Sequence, residues 1–147
     1  MKTTLALLAV ASIVEATWRS GAVSTYERFT YGKVVASMKT PNRKGTVASI
    51  YSYWDGPDFY PEAWNEIDIS VVPSVAKTPL STNVIYGDGH HAYEDHKYDT
   101  GKDTSDSDWH TYSFEWTPKY IAWFKDDRQI RKIDASDNEA VEFMHRE

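Results

Sequence analysis

Two carboxylates stand two residues apart in a stretch of the chain that is typical of a β-strand. Successive side chains of an extended strand point to opposite faces of a sheet. One face here is apolar and the other polar: Ile67, Ile69 and Val71 against Trp64, Glu66, Asp68 and Ser70. Two carboxylates on the polar face of a half-buried strand repel each other and resist ionising together. The pattern is typical of a catalytic pair, and it is equally compatible with a solvated strand face that carries two incidental acids.

The run Trp-Asn-Glu-Ile-Asp-Ile, which begins at Trp64, closely resembles the signature of glycoside hydrolase family 16. That family includes lichenases, laminarinases and related endo-β-glucanases, and its signature reads Glu-x-Asp-x-Glu or has one extra residue before the last Glu. The resemblance implies that Glu66 is the nucleophile and that Asp68 is its electrostatic helper. The acid/base Glu is not matched, because Ser70 stands at its position and Val71 at that of the longer variant.

Further stretches resemble the family in the family's own order and extend the match over most of residues 21–133. They are residues 31–39, 45–53, 109–118 and 120–124. The resemblance implies an all-β fold, an antiparallel β-sandwich of the concanavalin-like jelly-roll type.

The hydrophobic pattern by itself predicts short strands separated by turn-rich segments, with almost no helical periodicity. The predicted strands are residues 29–39, 46–54, 65–72, 80–86, 109–117, 120–125 and 128–133. Such spacing is typical of an antiparallel sandwich. Asp126 and Asp127 lie where a hairpin turn is expected, and Asp tolerates the left-handed backbone of such turns with some strain.

The N-terminus has the pattern of a secretory signal peptide. Lys2 precedes an apolar run over residues 5–14, and small residues surround Ala16. The run is too short to cross a bilayer. We therefore expect residues 1–16 to be a signal peptide and residues 17–147 to form a single domain of a secreted, extracellular protein. The resemblance implies further strands at both ends, so we expect a truncated domain rather than a deliberately minimal one.

Composition narrows the class of partner. The net charge of −6 disfavours nucleic acid and anionic membranes, whereas a neutral polysaccharide is indifferent to its sign. Aromatic residues make up 14% of the chain, and aromatic rings pack against the apolar faces of β-linked glucose. The chain has no cysteine and therefore no disulfide. We expect a monomer that binds β-glucan and needs no cofactor.

The missing acid divides the functional prediction in two. A retaining glycosidase needs a carboxylate nucleophile and a carboxylic acid that protonates the leaving oxygen, roughly 5–5.5 Å apart. The hydroxyl of Ser70 is too weakly acidic and too short for the second role. The sequence therefore predicts either an endo-β-glucanase with little or no turnover of native glucan or a non-catalytic β-glucan-binding protein. Five acids nearby in the sequence are candidates to replace the missing one: Asp55, Asp58, Glu62, Asp88 and Glu94.

The resemblance also implies sugar-binding residues. Trp64 matches the family's stacking tryptophan, Tyr51 and Tyr53 match its cleft aromatics, and Asn83 matches an asparagine that hydrogen-bonds a sugar hydroxyl. Ordinary packing for the aromatic residues, and a turn or ladder cap for Asn83, stay open. Residues 87–96 contain histidines and acids, but their spacing matches no dependable metal motif. We therefore predict a solvated polar loop there and no metal site.

Overall fold

Eight β-strands and one short helix make up the described part of the chain. The computed structural model describes residues 19–25, 27–41, 43–54, 64–73, 80–87, 92–98, 108–138 and 140–143. The strands are β1 (Gly32–Lys39), β2 (Ala48–Trp54), β3 (Trp64–Val71), β4 (Leu80–Gly87), β5 (Ala92–Tyr98), β6 (Trp109–Trp116), β7 (Tyr120–Lys125) and β8 (Arg128–Asp134), and the helix is α1 (Ala140–Phe143). The expected signal peptide, residues 1–16, lies outside the described residues. No helix among these residues is long and apolar enough to span a membrane.

The strands form two antiparallel sheets of four strands each. The front sheet has the order β2-β3-β4-β5, and the back sheet has the order β1-β6-β7-β8. The chain passes from the back sheet to the front sheet after β1 and returns after β5, so the back sheet is built from separated parts of the sequence. Both sheets contribute apolar side chains to one core, as in a β-sandwich. The predicted antiparallel β-sandwich of the jelly-roll type is confirmed.

Hydrogen bonds through the core tie the two sheets together. Trp123 of β7 is fully buried, and its indole Nε1 donates to the main-chain oxygen of Asp68 at 2.8 Å. Arg131 of β8 is also buried and donates to the main-chain oxygen of Thr82 at 3.1 Å. Its guanidinium lies 4.6 Å from the centroid of the Trp123 ring. The back sheet thus contacts the two middle strands of the front sheet through the core.

The turn between β7 and β8 adopts the predicted left-handed geometry. Asp126 and Asp127 have φ angles of 50° and 59°, and a type I′ hairpin turn requires positive φ at both central residues. Asp126 is tied to the neighbouring strand, because its carboxylate accepts the main-chain N–H of Thr111 at 3.0 Å and lies 2.7 Å from Nδ1 of His110. The turn therefore fixes the ends of three strands in the back sheet.

The prediction of a polar loop over residues 87–96 is wrong in its second half. Ala92–Tyr98 is strand β5, which pairs antiparallel with β4. Its sequence, Ala-Tyr-Glu-Asp-His-Lys-Tyr, is mostly polar and has no alternation of apolar residues that would predict a strand. Main-chain pairing with the edge of β4 accounts for this strand, since its own sequence does not predict it.

Candidate active site

Strand β3 presents its two carboxylates on the outer face of the front sheet. Ile67, Ile69 and Val71 are buried in the core with exposures of 0%, 1% and 1%. Glu66 and Asp68 alternate with them and are only partly buried. The predicted division of this strand into an apolar and a polar face is confirmed. The acids are thus open to solvent on one side and supported by packed core on the other.

Strand register brings the other predicted site residues next to these acids. Directly opposed residues on neighbouring antiparallel strands have Cβ atoms about 4.5–5.5 Å apart. Three rows cross β2, β3 and β4 in turn: Tyr53, Glu66 and Ile85; Tyr51, Asp68 and Asn83; Ser49, Ser70 and Ser81. Alternation and register therefore put both tyrosines and Asn83 on the same face as the two carboxylates.

The two tyrosines are the most exposed members of this group. Tyr51 and Tyr53 are 47% and 49% exposed, whereas Asn83 is 7% exposed. Aromatic rings of β2 therefore stand at one side of the acids, and a buried amide lies at the other. Such an arrangement offers flat apolar surfaces together with a fixed polar group, which is how proteins commonly bind small polar ligands.

Glu66 is held by a tryptophan from its own strand. The indole Nε1 of Trp64 donates to Oε2 of Glu66 at 2.8 Å. Trp64 in turn packs against Tyr53, with ring centroids 6.0 Å apart and an interplanar angle of 84°. The spacing of two residues on a strand predicts that Trp64 and Glu66 share a face. It does not predict that the indole nitrogen meets the carboxylate.

Ser70 contacts another serine at the far end of the same face. Its Oγ lies 2.7 Å from Oγ of Ser49, which is directly opposite on β2. The sequence pattern did not single out Ser49, although its position two residues before Tyr51 places it on the same face. The third position of this row is Ser81, so three neighbouring strands carry hydroxyl groups here.

The acids proposed as replacements lie mostly beyond the described ranges. Asp55, Asp58, Glu62 and Asp88 are all outside the described residues. Glu94 belongs to β5, where its backbone pairs with Ile85, and His96 pairs with Asn83. These two positions continue the rows that start at Tyr53 and Tyr51. Among the described residues no three His, Asp or Glu side chains are grouped as metal ligands would be.

Comparison with known proteins identifies the family. The model of glycosyl hydrolases family 16 matches residues 2–146. A beta-glucanase of Fibrobacter succinogenes is 34% identical over 142 residues, which are 91% of this chain and 40% of that protein. A xylanase/beta-glucanase of Ruminococcus flavefaciens is 33% identical over 113 residues, which are 77% of this chain and 13% of that protein. The chain therefore belongs to glycosyl hydrolase family 16, as the resemblance predicted.

Solved structures agree on the fold. A lichenase derived from a mouse hindgut metagenome superposes with a TM-score of 0.51 and 30% identity, covering 74% of this chain and 48% of that one. A family 16 endo-glucanase from Bacteroides ovatus gives a TM-score of 0.62 at 23% identity, covering 77% of this chain and 51% of that one. The chain thus spans about two fifths of the Fibrobacter enzyme and about half of these solved chains.

Proposed function

We propose that the outer face of the front sheet is a β-glucan cleft of the retaining endo-β-glucanase type. Glu66 is its nucleophile, and Ser70 limits its turnover of native glucan. The observation that carries this proposal is the shared face of Glu66 and Asp68, in register with Tyr53, Tyr51 and Asn83. Curated relatives named beta-glucanases support the substrate class. So does the structure of a Bacteroides ovatus mixed-linkage glucan protein of family 16 in complex with G4G4G3G product.

Glu66 carries out the first chemical step in this proposal. Its carboxylate attacks the anomeric carbon, the bond from that carbon to the leaving oxygen breaks, and a glycosyl ester of Glu66 forms. Asp68 lies two residues along the strand on the same face and is the electrostatic helper in this proposal. The leaving oxygen of a glucan is a poor leaving group unless it is protonated. Ser70 cannot donate that proton near neutral pH, so this step is slow.

The aromatic side chains of β2 form the sugar-binding surface. Tyr51 and Tyr53 are half exposed beside the acids, where a pyranose ring packs on the aromatic face. Asn83 lies opposite Asp68 and offers an amide to a sugar hydroxyl. Because neutral glucan needs no charge complement, the acidic character of the chain does not oppose binding.

Secretion belongs to the same proposal. The pattern of residues 1–16 supports a cleaved signal peptide, and a glucan polymer is met outside the cell. Residues 17–147 then form one domain, which acts as a monomer on polysaccharide and has no nucleic-acid or membrane partner. N-terminal sequencing of the exported protein tests this part, with a start at Thr17 as the expected result.

A specific contact favours a second candidate function, a non-catalytic β-glucan-binding protein. Ser70 and Ser49 form a neutral hydroxyl pair at 2.7 Å in the row where the family motif would place its acid. Hydroxyl groups bind sugar hydroxyls without contributing a proton to bond cleavage. In this candidate the cleft holds glucan and releases it unchanged.

A pair of proteins, the natural chain and Ser70→Glu, separates the candidates. We expect both to bind mixed-linkage glucan equally and Ser70→Glu to hydrolyse it about 10²–10⁴-fold faster, because general acid catalysis contributes that much. Ser37→Glu, at an exposed position of β1, is the matched control and gains no activity. Equal rates for the natural chain and Ser70→Glu contradict the role of Ser70. Glucan binding by both proteins with hydrolysis by Ser70→Glu alone favours the binding function instead.

A further inference from the structure

The contact between Trp64 and Glu66 is a charge-assisted hydrogen bond. The indole nitrogen is a donor only, and its 2.8 Å distance to Oε2 is typical of a bond to a carboxylate oxygen. The indole N–H cannot act as a hydrogen-bond acceptor, so Trp64 can only donate to Glu66. The bond therefore marks Oε2 as the oxygen that is held and Oε1 as the oxygen left for chemistry.

Trp64 is itself held in place. Tyr53 packs nearly perpendicular to its ring, at a centroid distance of 6.0 Å, and Trp64 is only partly exposed. A Glu side chain has three rotatable bonds, and fixing it costs conformational entropy that must be recovered by contacts. Tyr53, Trp64 and Glu66 form a chain of contacts in which a packed ring fixes a flexible carboxylate.

We infer that Trp64 is a positioning residue for the nucleophile, acting through its N–H on Glu66, rather than a platform on which a sugar ring stacks. This inference rests on the proposed role of Glu66. By holding Oε2, Trp64 directs Oε1 at the anomeric carbon. Oε1 forms the new bond to that carbon, and the electron pair of the broken bond leaves with the departing oxygen. Loss of the N–H should slow this step while sugar binding stays the same.

Covalent trapping isolates the step. A 2,4-dinitrophenyl 2-deoxy-2-fluoro-β-glycoside of a gluco-oligosaccharide has a leaving group that departs without protonation, so the natural chain with Ser70 suffices. Intact-mass spectrometry gives the maximal trapping rate and the half-saturating concentration separately. We expect Trp64→Phe to lower the maximal rate about 10–100-fold, the range for one hydrogen bond to a charged group, and to leave the half-saturating concentration within about twofold.

Two further variants serve as controls. Trp109→Phe removes an indole that is 66% exposed in the back sheet, and it should trap like the natural chain. Trp64→His restores a ring N–H and should recover part of the lost rate. A raised half-saturating concentration with an unchanged rate in Trp64→Phe would identify Trp64 as a sugar platform and overturn the inference. Trapping of Trp64→Phe at the natural rate also overturns it.

The proposed function fails in a different way. If the natural chain is not labelled, or peptide mapping finds the label on a residue other than Glu66, the assignment of the nucleophile is wrong.

A second measurement tests the inference if Trp64→Phe does not fold. In this measurement the indole N–H resonance of Trp64 is compared between the natural chain and Glu66→Gln. We expect that resonance to move upfield when the charged acceptor is removed, and an unchanged resonance overturns the inference.

Discussion

For Glu66 and Asp68 the sequence predicts the face of the strand but not the hydrogen-bond partners of the carboxylates. Their types and spacing predict one shared face, because the side-chain period of a strand is two. The partner of each oxygen depends on rotamers and on neighbouring strands. The bond from Trp64 to Glu66 and the contact between Ser49 and Ser70 therefore required the structure.

Asp126 makes a residue-scale prediction about pH. Partial burial tends to raise the pKa of its carboxyl, but the N–H of Thr111, the His110 side chain and the positive charges of His110 and Lys125 together lower that pKa below 3.8. Because the pKa of Asp126 is lower in the folded state, its ionised carboxylate stabilises the fold, and this stabilisation is complete at pH values above the pKa of the unfolded chain. It is lost as the pH falls through the lower folded pKa.

Asp126→Asn tests this linkage. The carboxyl is half exposed, so we expect the substitution to reduce the free energy of unfolding by less than about 1 kcal/mol at about pH 6. The reduction should become smaller at about pH 2.5, below the unfolded value, because the stabilisation is lost as the pH falls through the lowered folded pKa. Urea unfolding at both pH values measures the difference. An equal loss at both would show that the charge of Asp126 contributes nothing.

At the scale of elements, the sequence predicted a strand correctly where its buried apolar residues alternate with polar ones. Strand β3 alternates strictly between buried and partly exposed residues, and the predicted strand over residues 109–117 is β6, which buries Tyr112, Phe114 and Trp116. Strand β5 has no such pattern, since its residues from Glu94 to Lys97 are all polar. A strand that forms mainly by pairing with its neighbour need not have alternating apolar residues, so hydrophobic periodicity does not predict it.

The hairpin between β7 and β8 carries an element-scale prediction. Asp127 has a φ of 59°, a conformation that glycine adopts without the Cβ clash. Asp127→Gly should therefore stabilise the protein by about 0.5–1 kcal/mol, while Asp127→Ala should destabilise it. The midpoint of urea unfolding at unchanged slope measures both effects. A glycine variant less stable than the natural chain would show that the Asp127 side chain contributes more than its backbone strain costs.

At the scale of the whole molecule, both sheets support the strand that carries the two acids. Trp123 of the back sheet donates to the main-chain oxygen of Asp68, so the core contacts the strand that carries both acids. The sequence predicted Trp123 within a strand but not this partner, because side-chain patterns do not reveal which sheets face each other at which register. The strand pattern predicted an antiparallel sandwich, the family resemblance supplied its jelly-roll topology, and the fold of the solved relatives agrees with both.

The central proposal is that Glu66 is a working nucleophile and that Ser70 supplies no proton to the leaving oxygen, and azide tests it most directly. With a dinitrophenyl β-glycoside, the leaving group departs without protonation and the glycosyl ester of Glu66 accumulates. Azide, an anion that needs no general base, then attacks the anomeric carbon and releases the Glu66 carboxylate. We expect azide to accelerate turnover by the natural chain and to yield the β-glycosyl azide, identified by NMR, and to have little effect on Ser70→Glu. An α-configured azide, or rapid hydrolysis of native glucan that azide does not change, would contradict the account.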